Sequence, residues 1–149
     1  MTIEELLKQE GKFLGPTKGV SMLPMLKEGR DTIVVYPKKE RLAPYDVALY
    51  KRGEDYSLHR VRSVTDWGYI IRGDNCYYDE KIKEDRVIGV LGEYFKGDKH
   101  VLLTDKEYIK YSKRIVKNYP IRKFKVKIKG FIKSVIKKVF FKKRQNKTK

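Results

Sequence analysis

The chain holds a single cysteine, Cys76, so no internal disulfide can form, and nothing in its cysteine usage implies an oxidising compartment. Histidine is almost as scarce. His59 and His100 are the only two, no Cys/His spacing of the zinc type occurs, and the sequence offers neither a metal cluster nor a cofactor motif. Long apolar runs are missing as well; none approaches the ~18 residues that a transmembrane helix needs. The N-terminal stretch Met1-Thr2-Ile3-Glu4-Glu5-Leu6-Leu7-Lys8 is acidic and lacks the apolar segment of a secretory signal. The expected location is therefore cytoplasmic, peripheral at the inner face of the cell membrane if the C-terminal region docks there. No internal repeats are present.

Acidic residues run out along the chain. Residues 1–104 carry 18 Lys+Arg and 17 Asp+Glu, whereas residues 105–149 carry 18 Lys+Arg and only 2 Asp+Glu. The net charge of +17 thus belongs almost wholly to a C-terminal tail, which seeks polyanions such as anionic lipid or nucleic acid. A length of 149 residues suits one domain plus an appendage, with a body over 1–103 and a basic helical tail over 104–149.

What the body does have is a series of short β-branched and aromatic runs separated by turn residues. Residues 2–9 read as a short helix opened by a Thr2/Glu5 capping box. Thr32–Tyr36, Tyr45–Tyr50, Tyr56–Val64, Tyr69–Arg72, Arg86–Phe95 and His100–Leu103 read as strands, and Gly73–Glu84 as an acidic loop. The fold class expected is mainly β: a compact, strongly bent, barrel-like sheet with a short N-terminal helix. In the tail, Thr104-Asp105-Lys106-Glu107 opens a helix over 104–119, and Pro120 ends or kinks it. From Ile121 to Phe140 apolar residues recur at steps of three and four with lysines opposite, which predicts an amphipathic helix over 121–141. Residues 142–149 are expected to be disordered. The aromatic residues sit on the apolar stripe, not among the lysines. That ranks a membrane surface first as the tail's partner, packing on its own body second, and nucleic acid last.

The body is organised around Gly19-Val20-Ser21-Met22-Leu23-Pro24-Met25-Leu26. Pro24 bars Leu23 from helix and leaves Ser21 at a strand end or tight turn, where a hydroxyl can face a cleft. A free hydroxyl is a weak nucleophile and needs a base, for which His59 is the natural partner. Taken alone, a turn serine and a strand histidine need no catalytic role.

Four motifs in order change that reading: Gly-x-Ser-Met-x-Pro-x-Leu, Tyr45-Asp46-Val47-Ala48-Leu49-Tyr50, His59-Arg60-Val61 and Gly73-Asp74-Asn75. Together, over roughly Lys18 to Leu91, the chain resembles the type I signal peptidases. The bacterial branch of that family has a lysine where His59 stands, so the resemblance is to the serine–histidine branch of the endoplasmic reticulum, archaea and some spore formers. It implies that Ser21 is the nucleophile and His59 the general base and acid. It also implies that Asp74, together with Asp79 or Glu80, supports the imidazole. Met22 and Pro24 would contact an extended peptide with small residues before the cut, held by strand addition, and the Ser21 backbone N–H would bind the oxyanion. No cofactor is implied.

Three departures stand out. Gly19 replaces the family's serine two residues before the nucleophile, Cys76 replaces a second Asn, and no membrane anchor precedes Lys18. The expected substrate is therefore the signal or leader peptide of a small secreted or modified peptide, cut at the inner membrane surface. The self-cleaving repressors of the DNA-damage response share the family's fold but use Ser and Lys, and rank lower. The competing class is a non-catalytic module with the same core, binding membrane or a polyanion through its tail.

Overall fold

The computed structural model describes residues 1–145. α1 (Ile3–Glu10) is followed by β1 (Phe13–Pro16), β2 (Asp31–Pro37), β3 (Val47–Arg52) and β4 (Asp55–Thr65). Then come β5 (Gly68–Arg72), β6 (Glu80–Lys83), β7 (Val87–Lys96), β8 (Lys99–Leu102), α2 (Lys106–Lys117) and α3 (Tyr119–Gln145). The protein is mainly β, as its strand and turn signals indicate. Eight strands form one curled antiparallel sheet in the order β1-β2-β7-β3-β4-β5-β6, with β8 paired to β7.

Period-two alternation divides the core between the two faces of this sheet. Along β3, Val47 and Leu49 point to one side, and Ala48 and Tyr50 to the other. The first side packs with Ile33, Val35 and Leu91, and is closed by Leu7 of α1 and by Met22, Met25 and Leu26 of the serine turn. The second side packs with Val61, Tyr69, Ile71 and Val87. Each fully buried aliphatic side chain contributes about 1.5–3 kcal/mol, so the turn that carries Ser21 is fixed by its own apolar neighbours. Asp31 fastens the far end of that segment. Its buried carboxylate accepts from the Lys27 N–H at 2.8 Å and the Gly97 N–H at 3.2 Å, and pairs with Arg30.

Two strands escape a reading of the sequence. β1 contains Gly15 and Pro16, and β6 is Glu-Lys-Ile-Lys within the expected acidic loop; both are four-residue strands at the ends of the sheet. Edge strands need only one paired side, and they tolerate proline and charge. Gly19 and Val20 form a bend that leads into a turn over 21–25, so Ser21 sits at the start of a turn. Gly19 sits at φ +76° with its N–H donated to Glu28 at 3.0 Å, which turns the chain back before Ser21. A side chain in place of Gly19 would be strained there.

The first compact unit runs from Met1 to Val116, beyond the body expected to end at 103. α2 belongs to it because Tyr108 is buried in the core and meets Tyr94 edge-on, with ring centroids 6.3 Å apart. The second unit begins at Lys117 and holds α3, which starts one residue before Pro120 and continues past 141 to Gln145. Proline is accepted there because the first turn of a helix leaves its N–H groups unpaired in any case. The rest of the stretch read as disordered, 146–149, lies outside the described residues. Among the described residues no helix is long and apolar enough to cross a membrane. Tyr108→Ala is expected to destabilise the body by about 3 kcal/mol in denaturant unfolding, whereas a helix merely appended to it would tolerate the change.

Candidate active site

His59 lies on β4 opposite Ala48 of β3, and that register places Tyr50, two residues further along the same face, beside the imidazole. The Tyr50 hydroxyl is 3.1 Å from His59 Nδ1 and donates to Glu80 Oε2 at 3.2 Å. Glu80 Oε1 is itself 3.1 Å from Nδ1, at ion-pair distance but not aligned for a hydrogen bond. Since the tyrosine proton points to Glu80, its oxygen accepts from Nδ1–H. That arrangement fixes the tautomer and leaves Nε2 as the basic nitrogen.

Nε2 faces Gly73. A Cβ placed on Gly73 would lie 3.0 Å from Nε2, 2.6 Å from the Ser21 carbonyl oxygen and 2.8 Å from Cys76 Sγ. The bare Cα of Gly73 is thus what lets the imidazole, the serine turn and the 73–76 loop converge. Asn75 completes the clamp, its N–H donating to the Ser21 carbonyl at 2.8 Å and its side-chain amide to the Val20 carbonyl at 3.1 Å. Ser21 is half-buried in the turn. Among the described residues neither its hydroxyl nor the N–H groups of Ser21 and Met22 are committed to another hydrogen bond.

The sequence offers three carboxylates for the imidazole, and the fold brings Glu80 to it. Asp74 bears on the imidazole through its charge, which raises the His59 pKa, while its own oxygens are gripped by other partners. Arg60 Nε and Nη2 grip its two oxygens at 2.8 and 2.7 Å, and the Tyr111 hydroxyl donates to Oδ2 at 2.9 Å. Both partners are essentially sealed from solvent, with side-chain exposures of 1% and 2%. Arg60 also donates to the Tyr108 hydroxyl at 2.9 Å, to the Tyr45 carbonyl at 3.0 Å and to Met25 Sδ. Tyr45 adopts φ +80° to present that carbonyl, a strain of about 1 kcal/mol offset by the buried bond. Burial works against the charge on Arg60, but the paired Asp74 outweighs it and raises the guanidinium pKa above its ordinary value. Asp79 is bound by Arg72 at 2.6–2.8 Å and half open to solvent, so it fastens the loop and not the histidine.

Burial is the largest influence on His59 and lowers its pKa below 6.5. Glu80 opposes that shift, Arg52, 3.4 Å from Glu80, adds to it, and the charge of Asp74 opposes it again. A neutral imidazole with a free Nε2 is the form that can accept a proton. Burial also pushes the Cys76 thiol up, assisted by Glu80, which keeps it protonated and a poor nucleophile.

Ser21 and Met22 open onto a mainly apolar cleft of about 380 Å³, whose walls include Phe13, Leu26, Ile33, Leu49 and Leu58, with Lys18 and Asp55 also on its lining. Pro24, expected to share in substrate binding, does not line this cleft; it lines a groove on the other side of the turn. One wall of the cleft is the first half of β4. Among the described residues no strand pairs its outer side over 55–59, because β5 joins only at Arg60. Sequence reasoning assigned no role to Tyr50, Asn75, Tyr108 or Tyr111. The first was legible in principle from the β3–β4 register, and the last two from the helical spacing of tyrosines in α2.

No protein-family model and no curated protein matches the chain. Asp74→Asn is expected to cost about 3–5 kcal/mol in denaturant unfolding by leaving Arg60 buried without its counter-charge. Asp79→Asn should cost less than about 1 kcal/mol. Equal costs would contradict the division of roles between these two carboxylates.

Proposed function

We propose that the protein is a serine endopeptidase of the signal-peptidase type. The observation that carries this reading is the direction of the imidazole: Nδ1 is held by Tyr50 and Glu80, and Nε2 is turned to the point at Gly73 that the serine turn also meets. In this reading Ser21 Oγ attacks the scissile carbonyl while Nε2 takes its proton. The tetrahedral oxyanion is received by the free N–H groups of Ser21 and Met22. Collapse passes the proton from Nε2 to the leaving amine and leaves an acyl-Ser21, which water hydrolyses with His59 again as base. Glu80 stabilises the imidazolium through Tyr50 and directly, the service an aspartate gives in other serine triads. The apolar cleft suits small or apolar residues before the cut, and the open side of β4 suits an extended backbone added as a strand.

α3 supports a membrane surface as the place of action. Ile121, Phe124, Phe131, Ile132, Val135 and Phe140 are exposed at helical spacing, with lysines between them. Such a helix lies in the headgroup plane of an anionic leaflet, which corresponds to a peripheral location at the inner face of the cell membrane.

The test is cleavage of a peptide with an Ala-x-Ala segment. Ser21→Ala should abolish it, with a loss of at least about 10³-fold, and Glu80→Gln should lower kcat about 10²-fold. Cleavage needs neutral His59, so kcat/KM should rise with pH through a midpoint below 6.5. Because Glu80 holds that pKa up and Arg52 holds it down, Glu80→Gln should move the midpoint lower and Arg52→Gln should move it higher. Unchanged cleavage by Ser21→Ala would sink the reading. Separately, the protein should sediment with phosphatidylglycerol vesicles and not with phosphatidylcholine vesicles, and added salt should release it.

A further inference from the structure

A second depression adjoins the serine turn. It measures about 700 Å³ and lies among the end of β7, β8 and the first face of α2, with Pro24 and Met25 of the serine turn at one border. Its floor is aromatic and apolar, with Tyr94 and Tyr108 buried beneath Val101. Its rim is basic. Lys106, Lys110 and Arg114 recur every four residues and so share one side of α2. Lys96 and Lys99 of the β7–β8 hairpin line the same groove.

Five cations in one groove repel one another, and among the described residues none of them is in an ion pair. Two acids also line it, Glu107 and Asp105, the latter accepting the Leu102 N–H at 3.0 Å, so the groove keeps an excess of three positive charges. Such a site has lost nothing by waiting for an anion and gains from receiving one.

The position of the groove identifies the anion. Ser21 and Met22 line the apolar cleft, whereas Pro24 and Met25 line the basic groove. A single five-residue turn therefore divides two differently lined surfaces. From Ser21 to Pro24 is at most about 11 Å of chain, the length of three extended residues. A peptide bound at Ser21 and continued across the turn brings its side chains over the groove within that distance. Resting on Ser21 as a peptidase nucleophile, we infer that the substrate is a bipartite peptide: apolar or small residues fill the cleft, and acidic residues about three to six positions from the cut occupy the groove. The groove thereby sets specificity for an acidic flank. It contributes binding, not chemistry.

The experiment uses the full-length Ser21→Ala protein and two fluorescein-labelled peptides. Both carry Ala-x-Ala; one has Glu-Glu-Glu beginning four residues beyond it, and the other has Gln at those positions. The acidic peptide should bind about tenfold tighter at low salt, the effect of three exposed charge pairs, and the advantage should shrink as salt is added. Lys96→Glu/Lys99→Glu/Lys110→Glu should remove the advantage and leave the Gln peptide unaffected. Its three sites are exposed, so the fold should tolerate the changes. Reversing Lys125, Lys129 and Lys133 of α3 should leave the advantage in place. Equal binding of the two peptides, or an advantage lost with the α3 reversal and kept with the groove reversal, would overturn the acidic-flank inference. Cleavage by the unmodified protein separates the two ideas. A binding preference without cleavage of either peptide would refute the peptidase reading and keep the groove. Cleavage of both peptides with equal binding would refute the groove and keep the peptidase.

Discussion

The buried pair of Arg60 and Asp74 is the constraint on which the rest of the site depends. Neither charge has access to water, so each must satisfy the other, and both oxygens of Asp74 and all three nitrogens of Arg60 are engaged. Such a pair adds little net stability, because desolvation consumes most of its attraction. What it does is exclude alternatives. Arg60 is the immediate neighbour of His59 on β4, and Asp74 is the immediate neighbour of Gly73 and Asn75. Locking the two residues together therefore brings the histidine strand against the loop that clamps the serine turn. α2 takes part through Tyr108 and Tyr111, so a helix that begins the basic tail in sequence is part of the scaffold in space.

Around that pair the remaining contacts divide into holding and tuning. Gly73 and Asn75 hold: one by having no side chain where two backbones and an imidazole converge, the other by binding two successive carbonyls of the serine turn. Tyr50, Glu80 and Arg52 tune. Burial alone would leave His59 a weak base at a low pKa. The carboxylate restores part of its basicity, and the arginine beside the carboxylate keeps that restoration limited. Tyr50 and Glu80 also meet Nδ1, so the direction of the ring is set within the same cluster.

Much of this was legible in the sequence, and the parts that were not share a cause. The central strands and α1 follow from β-branched alternation and from the Thr2/Glu5 capping box, since these are local signals. β1 and β6 were missed because their strand character comes from pairing at a sheet end and not from their own residues. Ser21, His59 and the choice among three carboxylates could be named from motifs. That Glu80 is the one that reaches Nδ1 could not, because the pairing of Asp74 with Arg60 and of Asp79 with Arg72 is not written in their own residues. Long-range pairing of like residues is the information that one-dimensional pattern does not hold.

The two surfaces on either side of the serine turn differ in lining, mainly apolar on one side and basic on the other, and the peptidase reading stands on whether Ser21 forms a bond with substrate. The most direct measurement is the intact mass of the protein after a short incubation with an Ala-x-Ala ester, quenched in acid and digested for peptide mapping. A mass increase equal to the acyl group, located on Ser21 and lost in His59→Ala, is the expected result. An unmodified Ser21 in a protein that still hydrolyses the ester would contradict a serine nucleophile at this position.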